Sequence, residues 1–107
     1  MTKEECIEAC LAAEGICRQG AEDFSHDPNA MDATRACDEC ASACHRCHTA
    51  LERGSSEYVH ECAKLCQACA EACAVIDNPL AMECVEACQK AEAACNEIYS
   101  TPGAMKS

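Results

Sequence analysis

Cysteine and alanine return every third or fourth residue along almost the whole chain, with charged and polar residues filling the positions between them. Cysteine alone shows the pattern: Cys6, Cys10 and Cys17, then Cys37, Cys40, Cys44 and Cys47, then Cys62, Cys66, Cys69 and Cys73, then Cys84, Cys88 and Cys95. Every gap inside a group is 3, 4 or 7, which are helical repeats. At about 100° per residue, each group falls within an arc of about 40° to 80°, one stripe along one face of a helix. Ala13 and Ala91 occupy the positions missing from the first and last stripes and keep them small and apolar.

Helix punctuation divides the chain at the same places. Thr2 with Glu5 forms a capping-box signature that opens a helix over about 3–24. Asp27 before Pro28 opens a second over about 28–53, and Gly54 stands ready for a left-handed C-terminal turn. Ser55 or Ser56 is the expected cap of a third helix over about 57–76, and Asn78-Pro79 opens a fourth over about 79–99. Residues 100–107 read as a frayed tail. Short connections join antiparallel neighbours, so the expected fold is all-α, an antiparallel up-down-up-down four-helix bundle with a cysteine-lined core, in a single domain spanning 1–107. Two internal likenesses agree with that division. CIEACLAAEGIC at Cys6 and CVEACQKAEAAC at Cys84 match at seven of twelve positions, and CDECASAC at Cys37 and CQACAEAC at Cys66 match at five of eight.

Composition makes this core unusual. The chain has 21 alanines and 14 cysteines but only 12 Leu, Ile, Val and Phe residues in 107. That is about 11%, below the roughly 20% at which a highly charged chain is expected to be disordered. Unless the chain is unfolded, cysteine is its interior. A net charge of −11 offers no cationic surface to phosphates, which excludes nucleic acid and anionic membranes as partners and leaves cationic ligands. No apolar run has the length of a membrane span, and the acidic Met1 to Glu8 stretch lacks signal-peptide character. A reducing cytoplasmic location is the expectation, in which thiols serve metal or redox chemistry rather than disulfides.

The thiols can serve in three ways. As small hydrophobes they would waste most of the driving force that leucine or isoleucine would give. As disulfides, thiols three or four apart on one face would constrain little, although bridges between facing helices fit geometrically. As metal ligands they act as thiolates, whose buried charge needs neutralising. Four thiolates leave a charge of −2 at each Zn2+, and such sites stacked in one dry tube repel one another. Cu(I) is soft, monovalent and content with two or three bridging thiolates, so multiple Cu(I) ions are the expected cargo. The alternatives are a zinc or general thiophilic-metal buffer and a thiol-disulfide redox protein. No nucleophile-base-orienter pattern is present, so an enzyme is not expected.

The C-x-x-x-C pairs in every helix (Cys6 with Cys10, Cys40 with Cys44, Cys62 with Cys66, Cys69 with Cys73, Cys84 with Cys88) resemble those of the bacterial copper storage proteins, over Lys3 to Ser100. The resemblance implies a thiolate-filled bundle that stores many Cu(I) ions, takes them in through one end and self-associates, as a tetramer. It is similar to the leaderless, cytosolic branch.

Cys44-His45-Arg46-Cys47-His48 also satisfies the C-x-x-C-H haem-attachment pattern, but a haem leaves twelve cysteines unexplained. No ferredoxin-type cysteine run is present. In an antiparallel bundle His48 and His60 share an end, each about 60° from its stripe, where they are expected to capture copper with Glu57 or Glu61 nearby. The expected metal ligands are therefore the fourteen cysteines with His48 and His60. His45 projects further outward and His26 falls in a loop, and neither has an expected role. Phe24, Ile76 and Leu80 form an apolar plug at the other end, near which Met31 and Met82 project away. Tyr58, Leu51 and Ile98 turn inward at the histidine end. Leu11, Val75, Ile7 and Val85 point to the outside or flank, as contacts between subunits would require.

Overall fold

The computed structural model describes residues 2–100. Among them are four α-helices and no strand: α1 (Lys3–Phe24), α2 (Met31–Glu52), α3 (Val59–Ala74) and α4 (Pro79–Tyr99), with a 3-10 turn at Pro28–Ala30 ahead of α2. They pack into a rod 45 × 18 × 17 Å in extent. α1 lies against α2 and α4, and α3 lies against α4 and α2. Beyond Ser100, the expected frayed tail lies outside the described residues.

The helix ends follow from their caps. Glu5 N–H donates to Thr2 Oγ1 at 3.1 Å while Thr2 N–H donates to Glu5 Oε1 at 2.8 Å, the reciprocal pair that satisfies two orphan donors. The Thr2 backbone N–H first, and then its hydroxyl, favour the ionised form and hold the Glu5 carboxyl below its ordinary value. Asn78 Oδ1 accepts from Leu80 and Ala81 N–H, and Pro79 takes the first helical position, where its missing N–H costs nothing. Just past the end of α2, Gly54, with a φ of 87°, lets the chain reverse. There Gly54 N–H donates to Leu51 C=O at 3.0 Å and Ser55 N–H to Ala50 C=O at 2.8 Å, a Schellman closure.

Two of the helices differ from the sequence reading in their bounds. The second helix begins as a 3-10 turn, with Asp27 Oδ1 accepting from Asn29 N–H at 2.9 Å, and becomes α-helical only at Met31. The third starts at Val59, not at 57, and ends at Ala74, not at 76. Neither Ser55 nor Ser56 caps it: Ser55 Oγ accepts from Glu57 N–H at 3.4 Å, ahead of the helix, Ser56 accepts from Val59 N–H only through its carbonyl, and Tyr58 holds the cap position without a side-chain bond.

The interior is cysteine and alanine, with Phe24, Leu51, Val59 and Ile98 as the large side chains of its buried cluster. Phe24 is buried at one end, and Ile76 and Leu80 pack half-buried beside it. At the other end Leu51 and Ile98 are buried and Tyr58 is half-buried. Gly20 makes room at the Phe24 end: a Cβ there would come within 2.9 Å of Cys84 Sγ and 3.2 Å of the Phe24 ring. Leu11, Val75, Met31 and Met82 are exposed, whereas Ile7 and Val85 pack half-buried against the core.

Candidate metal centre

All fourteen cysteines are free thiols, and none is more than 1% exposed. Helical spacing turns each stripe toward the same axis, where the stripes meet. Cys10, Cys47, Cys62 and Cys95, one from each helix, gather with all sulfurs within 4.8 Å of one another, and Cys17, Cys40, Cys69 and Cys88 repeat that arrangement further along. Two triads complete the picture, Cys40-Cys44-Cys66 and Cys37-Cys69-Cys73. Cys40 and Cys69 belong to a quartet and a triad at once, so the clusters share sulfurs.

The contacts between these groups form a continuous path. Cys6 Sγ lies 3.8 Å from Cys95, which lies 3.8 Å from Cys10, and Cys10 is 3.9 Å from Cys62. Cys62 to Cys44 is 3.7 Å, Cys44 to Cys66 3.6 Å, and Cys66 to Cys40 3.5 Å. Cys40 to Cys88 is 3.6 Å, Cys88 to Cys17 3.5 Å, and Cys17 to Cys69 3.8 Å. Cys69 to Cys37 and Cys37 to Cys73 are each 3.6 Å. Cys47 joins through Cys95 at 3.9 Å. Cys84 instead turns its thiol toward the Ile16 carbonyl at 3.6 Å.

Metal-sulfur bonds of about 2.3 Å set sulfurs about 3.8 Å apart around a tetrahedral ion and about 4 Å apart around a trigonal one. The observed spacing suits either. The i,i+4 pairs Cys40-Cys44 and Cys62-Cys66 at 3.9 Å and Cys69-Cys73 at 4.0 Å are closer than the roughly 4.6 Å of a linear two-coordinate bridge, which needs small side-chain rotations.

Packed thiols share protons. Cys62 is held below the ordinary thiol range by its contacts with Cys10, Cys44, Cys47 and Cys66. Cys44 is lowered to about 7, by Cys10 first and then Cys40 and Cys66. Cys6, Cys73 and Cys88 are lowered in the same way, with Cys10, Cys37 and Cys17 the leading contacts respectively. Others are held above the range: Cys10 by its contacts with Cys44 and Cys47, Cys66 by Cys40 and Cys44, Cys69 by Cys17 and Cys37, with burial adding to each. Every thiol that becomes a ligand does so by exchanging its proton for a cation.

The matching family model is that of the copper storage protein, over residues 1–100. The chain belongs to the copper storage protein family. That is a family of storage proteins rather than of enzymes. Neither a curated protein nor a solved structure matches this copper storage protein family member significantly. None of its described helices is long and apolar enough to cross a membrane.

The two histidines expected at one mouth have different partners. His60 is exposed and stacks on Tyr99, ring centroids 4.5 Å apart. His48 is only 6% exposed and turns to α1, where its Nε2 lies 2.7 Å from Glu14 Oε1. His45, without a role in the sequence reading, reaches the same carboxylate, its Nδ1 3.1 Å from Oε2. Angles measured from each cysteine stripe missed this group because it lies in the groove between two helices. The signal was a pair of histidines three apart on one helix facing a glutamate on its neighbour.

Proposed function

We propose that this copper storage protein family member holds many Cu(I) ions on its fourteen cysteine thiolates as a non-catalytic store in a reducing, cytoplasmic compartment. The observation that carries the reading is the sharing of sulfurs between clusters. A bridging thiolate serves two ions, so a monovalent cargo approaches the number of ligands while core charge stays near neutral. Disulfides would need isolated pairs, whereas Cys40 has Cys44, Cys66 and Cys88 all within 3.9 Å.

The topology that suits this store is a single-domain antiparallel up-down-up-down bundle. Contacts whose positions run in opposite directions support it, Cys6 with Cys95 and Cys17 with Cys88 between α1 and α4, as do those running together, Cys10 with Cys62 and Cys17 with Cys69 between α1 and α3. Copper enters at the end bearing the α2 C-terminus and the α3 N-terminus; His48 and His60 were expected there, and capture falls to His60, the exposed ring. The chain assembles with copies of itself through exposed aliphatics such as Leu11 and Val75, the latter 83% exposed, and a tetramer is the proposed state.

One observation favours a second reading. The quartets Cys10-Cys47-Cys62-Cys95 and Cys17-Cys40-Cys69-Cys88 are each shaped for a tetrahedral Zn2+. Anaerobic titration separates the two. On our reading Cu(I) uptake continues toward about one ion per cysteine, with proton release, whereas a zinc buffer saturates near one ion per four. Cu(I) binding that stops at about three ions per chain would overturn the storage reading.

A further inference from the structure

The groove between α1 and α2 carries a donor set without sulfur. Glu14 projects from α1 against His45 and His48, which stand three residues apart on α2, and the three donor atoms lie within 4.8 Å of one another. The set is partly enclosed: the His48 and Glu14 side chains are 8% and 14% exposed, while His45 at 58% leaves the outer side open to solvent.

Its hydrogen bonds distinguish it from an ordinary surface ion pair. His48 presents Nδ1 to Glu52 Oε1 at 3.2 Å and Nε2 to Glu14 Oε1 at 2.7 Å. Carboxylates only accept, so Nδ1–H donates to Glu52, and Nε2, donating to Glu14 here, is the nitrogen a cation would meet in place of that proton. A carboxylate behind an imidazole in this way orients and strengthens metal-bound histidines. Arg18 Nη2, on the next turn of α1, holds Glu14 Oε2 at 2.8 Å.

We propose that Glu14, His45 and His48 form a separate site for a divalent first-row cation, with Glu52 as a positioning residue. Imidazole nitrogen and carboxylate oxygen suit borderline ions, Cu2+ above Zn2+ in affinity, and not the soft monovalent ion suited to thiolates. Such an ion takes the place of the second imidazole proton and of the Arg18 contact. Three protein donors leave a coordination position for water or an exchangeable ligand. The chain's net charge of −11 draws cations to the site.

Co2+ is the probe, because its visible bands report coordination and bound thiolate adds an intense sulfur-to-cobalt charge-transfer band. The full chain is first loaded anaerobically with Cu(I), and the stoichiometry of that step tests the storage reading by itself; Co2+ is then titrated in. The expected result is one further Co2+ per chain without the sulfur band, with affinity at least tenfold weaker in His45→Ala and Glu14→Gln. Glu52→Gln removes no ligand and weakens binding by about 10- to 100-fold. His45 is exposed, so His45→Ala keeps the test sound if a more buried substitution disturbs folding, which circular dichroism reports. Co2+ uptake unchanged in His45→Ala and Glu14→Gln, or bound Co2+ that always carries the sulfur band, overturns the proposal.

Discussion

Single sulfurs in this core are not equivalent. Cys40 belongs to a quartet and a triad, whereas Cys6 belongs to none of the four clusters and touches the net through Cys95. Removing Cys40 therefore withdraws a bridging ligand, and Cys40→Ala should lower Cu(I) capacity by more ions than Cys6→Ala. Anaerobic titration against a competing chromogenic chelator measures both; equal losses would mean that ions do not share sulfurs. Gly20→Ala tests the space at the Phe24 end. Alanine favours the helix by about 1 kcal/mol. The new methyl, 2.9 Å from Cys84 Sγ, displaces that thiol at a cost of about 0.5–1.5 kcal/mol. The two effects nearly cancel, so denaturant unfolding of the apo-protein should change by less than about 1 kcal/mol while Cu(I) capacity falls. The residue scale was legible where residues obey the helix period, since 3-4 spacing alone turns fourteen cysteines inward. Glu14, His45 and His48 do not form a period of their own. Their meeting depends on which residue faces which across a groove, and that follows from the register of two helices.

Helix ends set how the stripes align, and their legibility depended on whether the local bonds stay local. Thr2-Glu5, Asp27 and Asn78 act within two or three residues of themselves, so the starts of α1, the 3-10 turn and α4 were readable. The start of α3 was not, because Ser55 Oγ closes a turn onto Glu57 N–H ahead of the helix and Tyr58 takes the cap position with no side-chain bond. The Thr2 cap carries a testable cost. Thr2→Ala should destabilise the apo-protein by about 0.5–2 kcal/mol, read from denaturant unfolding. The Glu5 half of the box gives a pH dependence of known sign. Its carboxyl is depressed in the folded chain, so its contribution is complete above the unfolded-state carboxylate range and fades as pH falls through the folded value. Glu5→Gln should flatten unfolding stability in that acid window and leave neutral pH nearly unchanged; an unaltered acid limb would remove the cap from the account.

At the scale of the whole molecule, alanine and cysteine bury too little apolar area per residue to hold four helices firmly. Each quartet, however, takes one sulfur from every helix, so an ion seated in it ties all four together. A ligand bound to the folded chain and not to the unfolded one stabilises by mass action, and copper should raise the thermal midpoint stepwise as it is added. The size of that rise must depend on pH. Each thiol that becomes a ligand gives up its proton, and thiols such as Cys10, Cys66 and Cys69 are held above the ordinary range, so they bind copper only by releasing protons. At fixed free Cu(I), acidification from about pH 8 to about pH 5 should therefore lower the midpoint of the loaded protein more than that of the apo-protein, because protons compete for the same sulfurs. Calorimetry of both forms across that range measures the difference. Superimposable midpoints at every pH would mean that copper does not bind these thiols in place of their protons, whatever the titration counts.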